Sequence, residues 1–306
     1  MKPRHRTAFP QATDSTSSDR IAPRKDLGQN FLRDPNIARN IVRDVDVQAG
    51  DSVLEIGPGE GALTSLLLET SARELVAVEY DARAVELLAK RFSAEIASGR
   101  LRVVQSDVLA VRLDEVFAND TIPLTHRPLK IVGNIPYYIT SDILFWVFDE
   151  WARLHISDNA ASAPTRTVIM MQKEVAQRIA AKPRTKDYGI LSIASQLVSE
   201  PKLLFQVSPH CFFPQPNVTS AVVAFQMKSE REAAEAYRMV HPLVRTAFNQ
   251  RRKVLSNALS SILQKERLPE ILRAAEERGI SYFRQRAEEL TPQDFVRLYD
   301  FIREFR

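Results

Sequence analysis

The feature that most constrains this chain is a series of short apolar runs alternating with helical patterns. SVLEIG, ELVAVE, LRVVQ, LKIVGN and RTVIMMQ are each brief and nearly continuous in apolar character. Runs of this kind suit strands buried on both faces of a parallel sheet. Between them lie helical stretches: Glu60 to Thr70, a segment from Asp81 with Val85, Leu88 and Phe92 on one face, and one carrying Leu144, Val147 and Phe148. Strand–helix alternation predicts a doubly wound α/β fold. An earlier helix starts at Asp34-Pro35, a capping oxygen followed by a proline, and carries Ile37, Ile41 and Val45.

The pattern changes twice. PKLLFQV and VTSAVVAFQM are separated only by the proline-rich SPHCFFPQPN, so they are expected to form an antiparallel strand pair with an irregular loop. From Arg231 onward only helical patterns remain, which places a boundary in Lys228-Ser229-Glu230. The expected organisation is a disordered basic arm over 1–24, an α/β domain over 25–230 and a small C-terminal all-helical domain over 231–306. Ser157 to Thr165 reads as a surface loop.

Composition narrows the function classes. The apolar run Ile143–Phe148 is far shorter than the ~20 residues of a membrane-spanning helix, so no membrane partner is expected. A single cysteine, Cys211, excludes an internal disulfide and a CxxC zinc site; no metal is expected, and a reducing compartment fits. A net charge of +4 and a pI near 9.2 are compatible with a nucleic-acid partner, though the position of the charges matters more than their sum. The start, MKPRHRTAFPQATDSTSSDR, has no apolar core of a secretory signal and reads as a basic arm rather than an organellar presequence.

Chemistry concentrates at the strand ends. Glu55-Ile56-Gly57-Pro58-Gly59-Glu60-Gly61 joins a strand to a helix, where glycines let the backbone turn sharply and approach a ligand. Glu79 closes the next strand, as ribose-binding acids do in both dinucleotide and S-adenosylmethionine sites, so these residues alone leave the cofactor open. Asp107 closes the third strand, either as a turn-capping residue or as an acceptor for an adenine amine. The fourth ends in Asn134-Ile135-Pro136-Tyr137. An adenine N6 amine is a poor nucleophile because its lone pair is delocalised into the ring. The Asn134 side-chain oxygen and the Ile135 carbonyl, held extended by Pro136, can accept its two hydrogens and aim the lone pair. Tyr137 can stack on the base. Taken alone, N-x-P-Y is an ordinary turn; behind Gly57, Glu79 and Asp107 it reads as an amine-methylating site.

Taken together, these segments resemble the KsgA/RsmA family of small-subunit ribosomal RNA adenine dimethyltransferases. The likeness runs from about Arg24 to the C-terminus. It rests on Leu27-Gly28-Gln29-Asn30-Phe31-Leu32, the EIGPGEGALT loop, Glu79, Ser106-Asp107 and Gly133–Tyr137, then on Gln172–Val175, Asp187-Tyr188-Gly189, Phe212–Ser220 and Gln250–Lys253. The resemblance implies a Rossmann-like class I methyltransferase sheet and S-adenosyl-L-methionine as cofactor. It implies that Gln29, Asn30 and Leu32 enclose that cofactor. Gly57 and Gly59 would meet its methionine end, Glu79 its ribose, Asp107 its adenine, and Asn134 the reaction centre. Phe212 would stack on the target base opposite Tyr137, while Phe213 would be an apolar anchor. Thr219 stands where relatives often carry aspartate. The implied reaction places two methyls on each of two adjacent adenosines in the 3′-terminal hairpin of 16S rRNA, on an immature 30S particle. A bacterial cytoplasmic monomer is expected, an organellar matrix being the alternative location.

Two basic clusters are candidate RNA contacts. Thr246 to Lys253 open an expected helix whose buried stripe is Leu255, Leu259 and Ile262, and carry the cluster Arg251, Arg252 and Lys253, with Arg245 nearby; Lys182, Arg184 and Lys186 lie in a polar loop. Such cations contact phosphate and make binding salt-dependent without reading bases. Two other functions compete: a large-subunit rRNA adenine methylase of the antibiotic-resistance type, and a non-catalytic assembly or organellar nucleic-acid-binding factor. The C-terminal segments Gly279–Ser281 and Arg286–Thr291 favour the small-subunit family over the former, and intact Glu79, Asp107, Asn134 and Tyr137 disfavour the latter.

Overall fold

The computed structural model describes residues 20–117, 128–157, 159–263 and 266–305. In chain order its elements are β1 (Phe31–Leu32), α1 (Pro35–Val45), β2 (Ser52–Ile56), α2 (Ala62–Leu68), β3 (Glu74–Glu79), α3 (Ala82–Arg91), α4 (Ser93–Ala97), β4 (Leu101–Gln105), α5 (Leu113–Val116) and β5 (Leu129–Asn134). Then come α6 (Thr140–Ile156), β6 (Pro164–Gln172), α7 (Lys173–Ile179), α8 (Ile190–Val198), β7 (Ser199–Val207), β8 (Phe212–Phe213) and β9 (Ser220–Met227). The helices α9 (Arg231–Asn249), α10 (Leu255–Ala258), α11 (Leu268–Glu277) and α12 (Pro292–Arg303) complete the chain.

All five apolar runs form strands of one seven-stranded sheet, ordered β4-β3-β2-β5-β6-β9-β7. The pairs from β4 to β6 are parallel; β9 runs antiparallel to both β6 and β7. The expected antiparallel pair is therefore β7 with β9, and β9 is the member that joins the parallel strands. Strand order reverses at β2, which has β3 on one side and β5 on the other. Such a switch point opens a crevice outside the carboxyl ends of the strands. A separate ribbon, absent from the sequence reading, pairs β1 with β8 antiparallel.

Alternation along each strand divides the core between the two faces of the sheet. Leu54, Ile56, Val76 and Ile131 enter one buried cluster; Val53, Leu75, Ala77 and Val132 enter the other. The first cluster continues through Trp151 and Tyr237 to Phe295 and Leu298, so the helices after Met227 share a core with the sheet. The Trp151 indole donates to the Lys228 carbonyl at 3.1 Å, pinning the segment that leads into α9. Among the described residues no helix is long and apolar enough to cross a membrane.

Local chemistry sets the helix starts. The Asp34 carboxylate accepts from the amides of Asn36 and Ile37, with Pro35 in the first turn of α1. Asp81 caps α3 in the same way through the Arg83 amide.

Three expectations need correction. Within Ser157 to Thr165, Ser162, Ala163 and Pro164 are buried, because β6 already begins at Pro164, opposite Leu129. The Arg251-Arg252-Lys253 cluster does not open a helix. It lies in the turn after α9, and Ile262 is exposed while Leu263 takes the buried place beside Leu255 and Leu259. Most of the basic arm lies outside the described residues, but its end is anchored before Lys25. The Ile21 amide donates to Glu60, and Arg83 donates to the Ala22 carbonyl.

Candidate active site

A cavity of about 370 Å³ opens at the switch point. Its walls bring together Gln29, Asn30, Leu32, Gly57, Gly59, Glu79, Asp107, Asn134, Ile135, Pro136 and Tyr137. Residues proposed from five separate segments thus meet in one space, because parallel strands deliver their carboxyl ends to the same edge of the sheet.

The glycine loop is shaped for close approach. Gly59 has φ +55°, and a Cβ there would lie 3.1 Å from the Phe31 ring. Its amide donates to Glu79 Oε2 at 3.0 Å, while Glu79 Oε1 accepts from the Asp81 amide at 2.8 Å. Glu79 is buried, and desolvation pushes its carboxyl above the usual range against the pull of those amides. A carboxylate has about four lone-pair sites, so Glu79 keeps acceptor capacity beyond these amides. Hydrogen bonds from Arg83, then Gln29, hold Asp81 down at about 2. Gln29 also accepts the Arg24 amide on its oxygen, tying the N-terminal segment to the start of α3.

Asp107 is a turn cap, its Oδ1 accepting from the Leu109 amide at 2.9 Å, and the residue also lines the cavity. One carboxyl was not singled out from the sequence. Glu55 lies at the floor of the same cavity, 1% exposed, and accepts a hydrogen bond from Thr64 at 2.7 Å. Burial, reinforced by the nearby Glu79 charge, pushes it up to about 8. An acid inside an otherwise apolar strand is the signal that could have revealed it.

The tetrapeptide is braced from two sides. Asn134 Nδ2 donates to the Asn30 carbonyl at 3.1 Å, leaving its Oδ1 as the acceptor. The Ile135 side chain is buried, and Pro136 has the extended ψ of 136°. The half-buried Tyr137 shares a hydrogen bond with the Ser220 hydroxyl, and burial keeps the phenol protonated by raising it above its ordinary value.

Phe212 does not stand free opposite Tyr137. It is 3% exposed, packs in the smaller core cluster and pairs with Leu32. Phe213, expected as the anchor, is 55% exposed, with the Arg33 guanidinium 5.7 Å from its ring centroid. In a two-residue strand successive side chains face opposite ways, so the ribbon buries Phe212 and exposes Phe213.

The two basic clusters are brought together. Arg251 pairs with Glu288 at 2.6 Å and donates to the carbonyls of Thr185 and Lys186; the Arg184 amide donates to the Glu288 carbonyl and its side chain pairs with Glu289. Arg251 and Arg184 therefore tie the loop to the turn between α11 and α12, while their side chains stay 38% and 68% exposed. Lys182, Lys186, Arg245, Arg252 and Lys253 are exposed.

A family model described as ribosomal RNA adenine dimethylase matches residues 21–304. This chain belongs to the ribosomal RNA adenine dimethylase family. It is 40% identical over 288 residues to the ribosomal RNA small subunit methyltransferase A of Chlorobium phaeobacteroides, covering 92% of each chain. It is 42% identical to the protein of the same name from Salinibacter ruber, covering 90% of this chain and 83% of that one. A dimethyladenosine transferase from Plasmodium falciparum has the same fold, with a TM-score of 0.70 at 24% identity, covering 88% of this chain and 95% of that one. The 23S rRNA methyltransferase ErmE also shares it, with a TM-score of 0.60 at 24% identity, covering 90% of this chain and all of that one. As a member of this dimethylase family the chain is an enzyme that uses S-adenosylmethionine as methyl donor. The cavity fits that group: Gly57 and Gly59 allow close approach on one wall, and Glu79 and Asp107 stand at successive strand ends.

Proposed function

We propose that this dimethylase acts on small-subunit ribosomal RNA, placing two methyls on each of two adjacent adenosines of the 3′-terminal hairpin in an immature particle. The observation that carries the chemistry is the brace on Asn134. With one amide hydrogen given to the Asn30 carbonyl the side chain's orientation is set, which supports Oδ1 as the acceptor an adenine amine requires. The small-subunit assignment is supported by the names of the relatives from Chlorobium and Salinibacter. Their bacterial source supports action in a bacterial cytoplasm, and the enzyme is proposed to work as a monomer.

In this reading S-adenosylmethionine supplies a methyl on a sulfonium, so that in-line displacement by the amine completes transfer. Asn134 Oδ1 and the Ile135 carbonyl accept the N6 hydrogens and turn the lone pair toward the methyl. Tyr137 stacks on the extruded base. Gly57 and Gly59 admit the methionine end, while Glu79 and Asp107 hold ribose and adenine. Positioning of this kind supplies much of the rate enhancement. Lys182, Lys186, Arg245, Arg252 and Lys253 hold phosphates, on a surface kept in shape by Arg184 and Arg251.

The deciding experiment offers immature small subunits and naked large-subunit rRNA in parallel, and maps the product by mass spectrometry. Dimethyladenosine at two neighbouring small-subunit positions is expected. Methylation of the large-subunit RNA alone would refute the proposal.

A further inference from the structure

Ser220 is the first residue of β9 and is completely buried. Its backbone is pinned on both sides, opposite Gln172 of β6 and Val207 of β7. Its hydroxyl meets the Tyr137 phenol, 83 residues earlier in the chain. Tyr137 itself sits in a short turn, Tyr137–Ile139, whose start has no side-chain cap. Its neighbour Tyr138 is 62% exposed, so this turn does not by its own packing bury an aromatic ring.

We infer that Ser220 is a positioning residue for the methyl-transfer reaction: its hydroxyl fixes the plane of the Tyr137 ring so that the ring presents a set face to the target base. The inference rests on the reading of Tyr137 as the stacking residue. A ring anchored only at Cβ can swing about two torsions. A second anchor at the phenol oxygen removes that freedom, and here the anchor belongs to a strand bonded on both edges. Asn134 is tied to the other side of the site by the Asn30 carbonyl. The two ends of the tetrapeptide are thus held by different parts of the fold, Asn30 beside the β1–β8 ribbon and Ser220 in the main sheet. The acceptor and the stacking face keep one relative orientation while the base enters. A site must hold its groups to within about 0.5 Å to be productive, and a freely swinging ring does not meet that tolerance.

The test compares Ser220→Ala, Tyr137→Phe and the double variant in steady-state methyl transfer to RNA, alongside calorimetric titration with S-adenosylmethionine. Tyr137→Phe keeps the ring and removes only the anchor, so it guards against a folding defect in Ser220→Ala. Each single change is expected to lower kcat/KM for RNA by about two- to tenfold, the range one neutral hydrogen bond supports. Most of that loss should lie in KM for RNA, with cofactor affinity unchanged, and the double variant should be no worse than either single. A Tyr137→Phe enzyme with wild-type kcat/KM, or losses that multiply in the double variant, would overturn the inference. If wild-type enzyme leaves small subunits unmodified, the proposed function fails. The same cycle is then run on the large-subunit rRNA, where the same two outcomes decide the inference.

Discussion

Glu55→Gln should remove a pH dependence from the stability of this enzyme. The buried carboxyl is pushed up to about 8 from 4.5, first by desolvation and then by the Glu79 charge, against the hydrogen bond from Thr64. An acid whose folded pKa lies above its unfolded value stabilises the fold most below about pH 4.5, where both states are protonated. That contribution is lost as pH rises to about 8, because the unfolded chain ionises first. At about 1.4 kcal/mol per pH unit the full loss is roughly 5 kcal/mol, of which roughly 4 falls between about pH 5 and pH 9. Glutamine keeps the shape and the acceptor for Thr64 without the charge. Urea unfolding of both proteins across that range, taken as wild type minus variant, isolates the Glu55 contribution from every other titrating group. The difference should shift toward the variant by several kcal/mol from acid to alkaline pH. Parallel curves would show that Glu55 is ionised in the folded protein and that the cavity floor is wetter than its burial implies.

Asn134→Ala should cut methyl transfer by about a hundredfold or more, the scale of one preorganised hydrogen-bonding group, while titration with S-adenosylmethionine stays near wild type. Glu79→Ala should instead weaken cofactor binding by about ten- to a hundredfold, as loss of a charged acceptor does. Gly133→Ala would place a Cβ 2.8 Å from the Ile56 carbonyl oxygen, separating β5 from β2. About 1–3 kcal/mol of stability should be lost in denaturant titration, with activity falling further because Asn134 moves. Arg251→Ala should cost about 1–2 kcal/mol by removing the Glu288 pair and two carbonyl contacts. Arg252→Ala should leave stability within about 0.5 kcal/mol but lower the salt dependence of RNA binding by about 0.7–0.9 in log–log slope.

Much of the fold is legible in the sequence because its cues are short-range. SVLEIG to RTVIMMQ declare themselves as buried strands, and Asp34-Pro35 and Asp81 announce helix starts with atoms only two or three residues away. Gly57, Glu79, Asp107 and Asn134 are equally readable, since each stands at the end of a parallel strand and parallel strands end on one side. The β1–β8 ribbon is not readable. Two strands of two residues each, 182 positions apart at Phe31 and Phe213, carry no periodicity. Without that ribbon the exposure of Phe212 and Phe213 is assigned the wrong way round. The Arg251 ion pair is unreadable for a related reason: a basic cluster looks the same whether or not an acid 37 residues later meets it.

The sequence by itself determined which strands of the main sheet form, which residues close them, and that a glycine loop, two acids and Asn134-Ile135-Pro136-Tyr137 follow in the order a methyl-transfer site needs. These are choices among backbone conformations and burial patterns made within about a dozen residues. Tertiary structure alone decided that β9 enters the sheet beside β6, that Asn134 is turned by Asn30, that Tyr137 is tethered to Ser220, and that Arg251 pairs with Glu288. Each of those depends on a partner distant in the chain. A donor's partner, and the inward face of a two-residue strand, are undefined until packing brings the second surface into place.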